Sequence, residues 1–447
     1  MQTYNFELLT GKIVTKEDFE YEENRQSWNR AIQKYPLAIV YCEEVLDIQN
    51  AIKWAQEYDV PFRIRSGGHH YEGYSSGNDV LVIDVSPMNE IVVNEKEQTV
   101  TVQGGVRNRE LYEAVCGLGY PFPGGGCPTV GVAGYTLGGG WGYSSRLLGL
   151  GCDNLIEVEI VDYKGDVLVV NQFKNADLYW ACRGGGGGNF GVVISLTFRL
   201  PEKVTMATLI NIDYQRVGDS KVIQVAQKYQ QFFKELDFRM NLKMAMYNSE
   251  TKGKGVRLTG LFYGTKEDAN RLLSCFNDAT DYSLEYMSVL EANRAIQDSH
   301  PDFEKYKSGG RLIYRDYNDQ ELQQMLNLIE TRADGSLYTA ITFYGMGGNI
   351  SNFNNDETAF SYRDAKFILG FQSVWEESMY APTNRSWIHE RFNCLVEYTE
   401  GSFINFPISQ QDEYEKQYYG TNSTRLKEVK AKYDPNNIFN FEQSIKF

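Results

Sequence analysis

Apolar positions in the first 200 residues fall in short runs separated by turn formers. Residues 38–41 (Ala-Ile-Val-Tyr) have the length and make-up of a buried strand, and residues 45–55 carry their apolar side chains at helical spacing. Residues 62–65 extend into a glycine-rich stretch. The segments 80–84, 91–93 and 99–103 are rich in β-branched residues and predict strands, whereas 108–115 predicts a helix. Residues 156–161 and 167–170, joined by Lys164-Gly165, predict a hairpin.

The pattern changes near Pro201. Between about 205 and 400, strand-like segments (208–213, 260–263, 340–344, 367–375) alternate with helical ones such as 320–329. This predicts an antiparallel sheet backed by helices. The tail holds one more helix, 423–432, stopped by Asp434-Pro435. The fold class expected is α+β, divided as 1–202, 203–402 and 403–447, with no internal repeat.

Composition narrows the classes of partner. A chain of 447 residues exceeds one ordinary core. Its 42% apolar and 23% charged residues are those of a globular protein, and its net charge of -15 argues against nucleic acid or anionic membrane. No apolar run is long enough to span a bilayer, and the first residues carry no secretory pattern, so a cytoplasmic location is expected. Seven scattered cysteines, never in a Cys-x-x-Cys pair, suggest neither a disulfide framework nor structural zinc. Only four histidines are present. The adjacent pair His69 and His70 would point to opposite sides of an extended segment, which disfavours a metal site.

The candidate chemistry lies in three glycine clusters: Arg65-Ser-Gly-Gly-His69, the long loop from Gly124 to Gly142 that holds Cys127, and Gly184 to Gly191. Glycines let main-chain N–H groups approach phosphate oxygens that a side chain would keep away. None of the clusters is a Rossmann turn or a Walker loop. An imidazole in one glycine loop and a thiol in another suggest a large cofactor held between backbones and bonded to both side chains.

The motifs Arg65-Ser-Gly-Gly-His-x-Tyr-Glu-Gly, Gly-Gly-Cys127-Pro-Thr-Val-Gly-Val-Ala-Gly, 178–191 and the terminal 419–445 occur in order along nearly the whole chain. They resemble those of the berberine bridge enzyme-like flavoproteins, within the wider vanillyl-alcohol oxidase type. The resemblance implies a split FAD domain with an inserted substrate domain, and FAD attached through its 8α-methyl to His69 and through C6 to Cys127. It further implies cofactor contacts from Arg65, Ser66, Gly67, Gly68, His69 and Ser75 in the first loop, and from Cys127, Val130, Gly131, Gly134, Gly138 and Gly142 in the second. Gly191, Val193 and Asn405 complete the set. Val130 is small, and the resemblance suggests that this keeps a path open for O2 as electron acceptor, with hydrogen peroxide as product.

Hydride transfer from an alcohol carbon to flavin N5 needs a base for the hydroxyl proton. Many relatives place a tyrosine where this chain has Phe406. The remaining candidates are Tyr344 and Tyr143, with Gln372 to orient a hydroxyl or the flavin edge. A sugar or oligosaccharide, or a secondary metabolite, is the expected small-molecule substrate. An oxidative cyclase, a dehydrogenase and a catalytically idle flavin carrier are the alternatives.

Overall fold

The computed structural model describes residues 4–447. Three sheets follow one another along the chain. The first joins β1 (Lys12–Thr15), β2 (Ala38–Tyr41), β3 (Phe62–Arg65) and β4 (Leu81–Asp84) in the order β1-β2-β4-β3; β2 and β3 run parallel to β4, and β1 is antiparallel to β2. The helix Val45–Glu57 covers it with Ile48, Ala51, Ile52 and Trp54, the stripe predicted by its spacing. The second sheet is antiparallel, with β5 (Ile91–Asn94), β6 (Thr99–Gln103), β7 (Leu155–Val161), β8 (Val167–Asn171) and β9 (Val192–Arg199) in the order β5-β6-β9-β7-β8. The predicted hairpin is the β7–β8 pair.

The third sheet has eight strands, all antiparallel: β10 (Met206–Gln215), β11 (Met240–Ser249), β12 (Gly253–Phe262), β13 (Asp281–Ser288), β14 (Lys305–Ile313), β15 (Ser336–Gly345), β16 (Phe367–Trp375) and β17 (Glu400–Ser402). Their order is β13-β10-β12-β11-β15-β16-β14-β17. Alternation gives the sheet two characters. Leu242, Met244, Met246, Ile341, Phe343 and Phe371 pack into a core with the helices Asp219–Lys234, Asp319–Leu328 and Ala381–Cys394. Asp319–Leu328 starts where Asn318 and Glu321 cap each other reciprocally, at 2.9 and 3.0 Å. The opposite face is polar and aromatic.

Two anchors hold the sheets together. Arg146, in the helix Ser145–Leu148 just past the cysteine loop, donates to the carbonyls of Leu236, Met240 and Met346. Beyond β17 the chain returns to the first sheets: the buried Lys430 ammonium donates to the Asp434 carboxylate (2.6 Å) and to the carbonyls of Asn189 and Phe439 (2.7 Å each). Asp434 in turn accepts from the N–H groups of Ile438 and Phe439, which ends the helix Ser423–Tyr433 and directs the chain beneath the third glycine cluster.

Candidate active site

The polar face of the third sheet and the glycine loops of the first two enclose a cavity of about 680 Å³. That size lies in the range of small-molecule and cofactor sites. Register explains which side chains reach it. Lys243 pairs with Thr259 on one side and Tyr344 on the other, Ala245 with Arg257 and Thr342, and Ala340 with Gln372. Lys243, Ala245, Arg257, Thr259, Thr342, Tyr344 and Gln372 all line the cavity.

His69 and Cys127 meet at a third residue. The Thr129 hydroxyl lies 2.8 Å from His69 Nε2 and 3.9 Å from Cys127 Sγ. The imidazole also stacks on Trp28, with ring centroids 4.9 Å apart. Burial, with Arg107 and His300 nearby, lowers the His69 pKa to about 3, so the ring is neutral and keeps a nitrogen lone pair. Burial also raises the Cys127 thiol, while Thr129 and the Val130 N–H pull it down. Of the other cysteines, Cys42, Cys116, Cys152 and Cys182 are buried and Cys275 and Cys394 exposed; Cys127 alone is half-buried, on the cavity wall.

The glycines divide by what surrounds them. A methyl group on Gly67 would sit 2.3 Å from the Gly131 nitrogen, and one on Gly131 would sit 2.4 Å from Ser66 Oγ. These two serve the contact between the first and second loops. Gly134 has nothing within 4 Å of such a methyl, and faces open space on the cavity wall opposite Gly187. Its bareness leaves room at the wall that no neighbouring protein atom fills.

Three expected cofactor contacts lie elsewhere. Arg65 is buried outside the cavity lining, paired with Asp84 and donating to the Asn24 carbonyl, because its charge at the end of β3 needs a buried counter-ion. Gly138 and Gly142 do not line the cavity either. Methyl groups there would collide with Asn405 Oδ1 and the Gly124 carbonyl. Asn405 lines the cavity but spends its amide on the Tyr135 carbonyl, at 2.8 Å. Ser66, Gly67, Gly68, Ser75, Val130, Gly131, Gly134, Gly191 and Val193 are all on the wall. His69 and His70 both line it as well, because the segment turns at Gly68 (φ +69°) instead of running extended.

The donors present fit a dinucleotide. Ser75 Oγ, Trp28 Nε1 and Arg63 Nε are buried at the wall with no hydrogen-bond partner among the described residues. Together with the main chain at Gly134 and Gly187, they offer unspent N–H and O–H groups to phosphate and ribose oxygens. Ser66 Oγ is spent on the Gly104 carbonyl, so it shapes the loop.

The catalytic candidates converge on the same space. Tyr344 and Tyr143 both pack edge-on against Trp141, whose indole N–H donates to the Gly345 carbonyl at 2.7 Å. The Tyr143 hydroxyl meets Thr259 Oγ1 at 2.9 Å. Phe406 lies between two phenols: its ring stacks on Tyr71 (5.3 Å, 4°) and contacts Tyr344 (5.2 Å). Lys243 Nζ lies 5.7 Å from the Tyr143 ring centre. Glu304, with burial pushing its carboxyl up to about 7, acts on Cys127, Tyr71 and Tyr306. Sequence reasoning missed Thr129, Tyr71, Lys243, Arg257 and Glu304. Only Tyr71 and Thr129 carried a signal, being two residues past His69 and Cys127.

Residues 36–171 match the FAD binding domain model, and residues 402–446 match the model for berberine and berberine-like proteins. The chain is 34% identical over 450 residues to the uncharacterized FAD-linked oxidoreductase YvdP of Bacillus subtilis strain 168, covering 98% of each. The chain belongs to the berberine bridge enzyme-like FAD-linked oxidoreductases. Reticuline oxidase of Eschscholzia californica is 26% identical, over 93% of this chain and 84% of that protein. BBE-like 1 of Physcomitrella patens superposes with a TM-score of 0.87 at 28% identity, covering 97% of this chain and 96% of that one. Within this family the chain is an FAD-binding oxidoreductase of α+β fold. Among the described residues no helix is long and apolar enough to cross a membrane.

Proposed function

We propose that this oxidoreductase is an oxidase that holds FAD through two covalent bonds, at His69 and Cys127, and oxidises an alcohol carbon of a sugar, oligosaccharide or secondary metabolite. The observation that carries this reading is the convergence of a neutral imidazole and a half-buried thiol on Thr129, in a cavity walled by bare main chain. Residues 1–202 and 403–447 form the cofactor domain, and 203–402 the substrate domain. When bound, the flavin supplies the hydride acceptor, and O2 removes the electrons as hydrogen peroxide.

The side chains supply the rest. Tyr344 takes the substrate hydroxyl proton, Gln372 orients that hydroxyl, and Tyr143, held by Thr259, walls the same space. Phe406 removes one phenol, but Tyr71 and Tyr344 keep phenols on either side of it, which favours an enzyme over an idle carrier.

The test is the mass of the denatured protein. The intact chain carries one FAD, His69→Ala and Cys127→Ala each retain it through the other bond, and the double variant loses it on denaturation. An unmodified mass for the intact chain, prepared with ample riboflavin, would overturn the reading.

A further inference from the structure

Among the described residues, Lys243 in the chamber has no carboxylate partner. Lys243 sits mid-strand on β11, half-buried and turned into the cavity, and the groups acting on its charge are phenols rather than carboxylates. Those phenols do not supply an anion. Tyr344 is raised by burial despite Lys243, and Tyr338 is pushed up to about 12 by burial despite both Arg257 and Lys243. The same two cations act on the Tyr338 hydroxyl, and all three residues line the cavity. On the sheet, Lys243 faces Thr259 and Arg257 lies two residues along the same strand, a diagonal pair within reach of one small ligand. Buried Asp213 holds the Arg257 guanidinium from behind through Nε (3.1 Å) and Nη2 (2.9 Å) and accepts from the Tyr247 hydroxyl (2.8 Å), which fixes the fork and leaves Nη1 uncommitted among the described residues.

His300, also on the wall, is kept neutral by burial and by Lys243. The one carboxyl of the chamber without a cationic partner, Glu304, acts on Cys127 and Tyr71 and is not among the groups acting on Lys243. In a chain of net charge -15, a locally positive chamber is not a by-product of composition. One ammonium, one guanidinium nitrogen and one phenol suit the two oxygens of a carboxylate; a phosphate dianion would call for more donors and a nest of main-chain N–H groups.

Resting on the oxidase reading above, we propose that the substrate is an alcohol carrying a carboxylate, received by Lys243, Arg257 and Tyr338 on the third-sheet wall of the chamber. The probes are two anions, glucuronate and benzoate, and their neutral counterparts, glucose and benzyl alcohol, titrated into the flavin-loaded protein while the flavin absorption spectrum is followed. Each anion is expected to bind about tenfold or more tightly than its neutral counterpart, and to lose that advantage as salt rises. Lys243→Met is expected to weaken both anions about tenfold at unchanged flavin content, and Arg257→Gln to do so in part.

Equal or tighter binding of the neutral compounds, silence of the spectrum towards both anions, or unchanged anion affinity in Lys243→Met would overturn the proposal. The wild-type comparison decides it even where a variant fails to load flavin. A protein reduced by alcohols without preference for anions would sink this inference and leave the oxidase reading standing. Anion binding without reduction by any alcohol would do the reverse.

Discussion

Tyr344 gives up its phenolic proton only against the cost of burial, which Lys243 offsets in part. A base of that kind works in its ionised form, so flavin reduction under the oxidase reading rises with pH and has no plateau below the ordinary tyrosine range. Tyr344→Phe is expected to slow that step by about a hundredfold or more in stopped-flow measurements; an unchanged rate would remove Tyr344 from the mechanism. Glu304 titrates in a different window. With its carboxyl pushed up to about 7 beside Cys127 and Tyr71, the absorption spectrum of the loaded protein should shift across neutral pH, and Glu304→Gln should abolish the shift. His70 affects stability instead. Burial, with Lys34 nearby, lowers it to about 3, so its neutral form is the folded one. The unfolded chain takes up that proton first, and this contribution is complete above about 6.5 and lost as pH falls towards 3. Chemical denaturation of His70→Gln should show less loss between those values than the parent chain.

At the scale of elements, the loops make a prediction that distinguishes two uses of glycine. Gly67→Ala or Gly131→Ala drives a methyl group into the facing main chain and should cost roughly 2 kcal/mol or more of stability. Gly134→Ala points into open space, should leave the melting temperature of the flavin-free protein nearly unchanged, and should cut flavin incorporation. The sequence could not separate these cases, because a glycine cluster reads alike whether it faces a ligand or another loop. Strands and helices were legible: the apolar runs at 38–41 and 367–375 and the helical spacing at 45–55 are local signals, and they became β2, β16 and the helix Val45–Glu57. His69 and Cys127 stood out because motif and chemistry agreed. Lys243, Arg257 and Glu304 stayed hidden because only the pairing of β11 with β12 and β15, and the approach of β14, brings them to one wall. Register between strands tens of residues apart leaves little trace in the chain. For Arg65 the motif position suggested a ligand contact, and the structure shows its side chain paired with Asp84 outside the cavity lining.

The molecule as a whole is closed by its tail. Lys430 and Asp434 are both fully buried, and the ammonium has three acceptors, two of them main-chain carbonyls on separate segments. Lys430→Met leaves Asp434 charged and unpaired, and should cost about 3–5 kcal/mol, read as a lowered melting temperature with loss of flavin retention in the doubly anchorless background. The cavity wall draws on residues near 28 and 63–75, on 125–143 and 186–193, on the third sheet, and finally on 404–407 and 439–443. During synthesis, a ribosome delivers the imidazole and the thiol hundreds of residues before Phe439 and Phe441 emerge to complete the enclosure. Under the bicovalent reading a nascent chain therefore has its attachment points early and its container late, and proteolysis near residue 410 would leave a fragment with both reactive side chains and the last wall of the cavity missing.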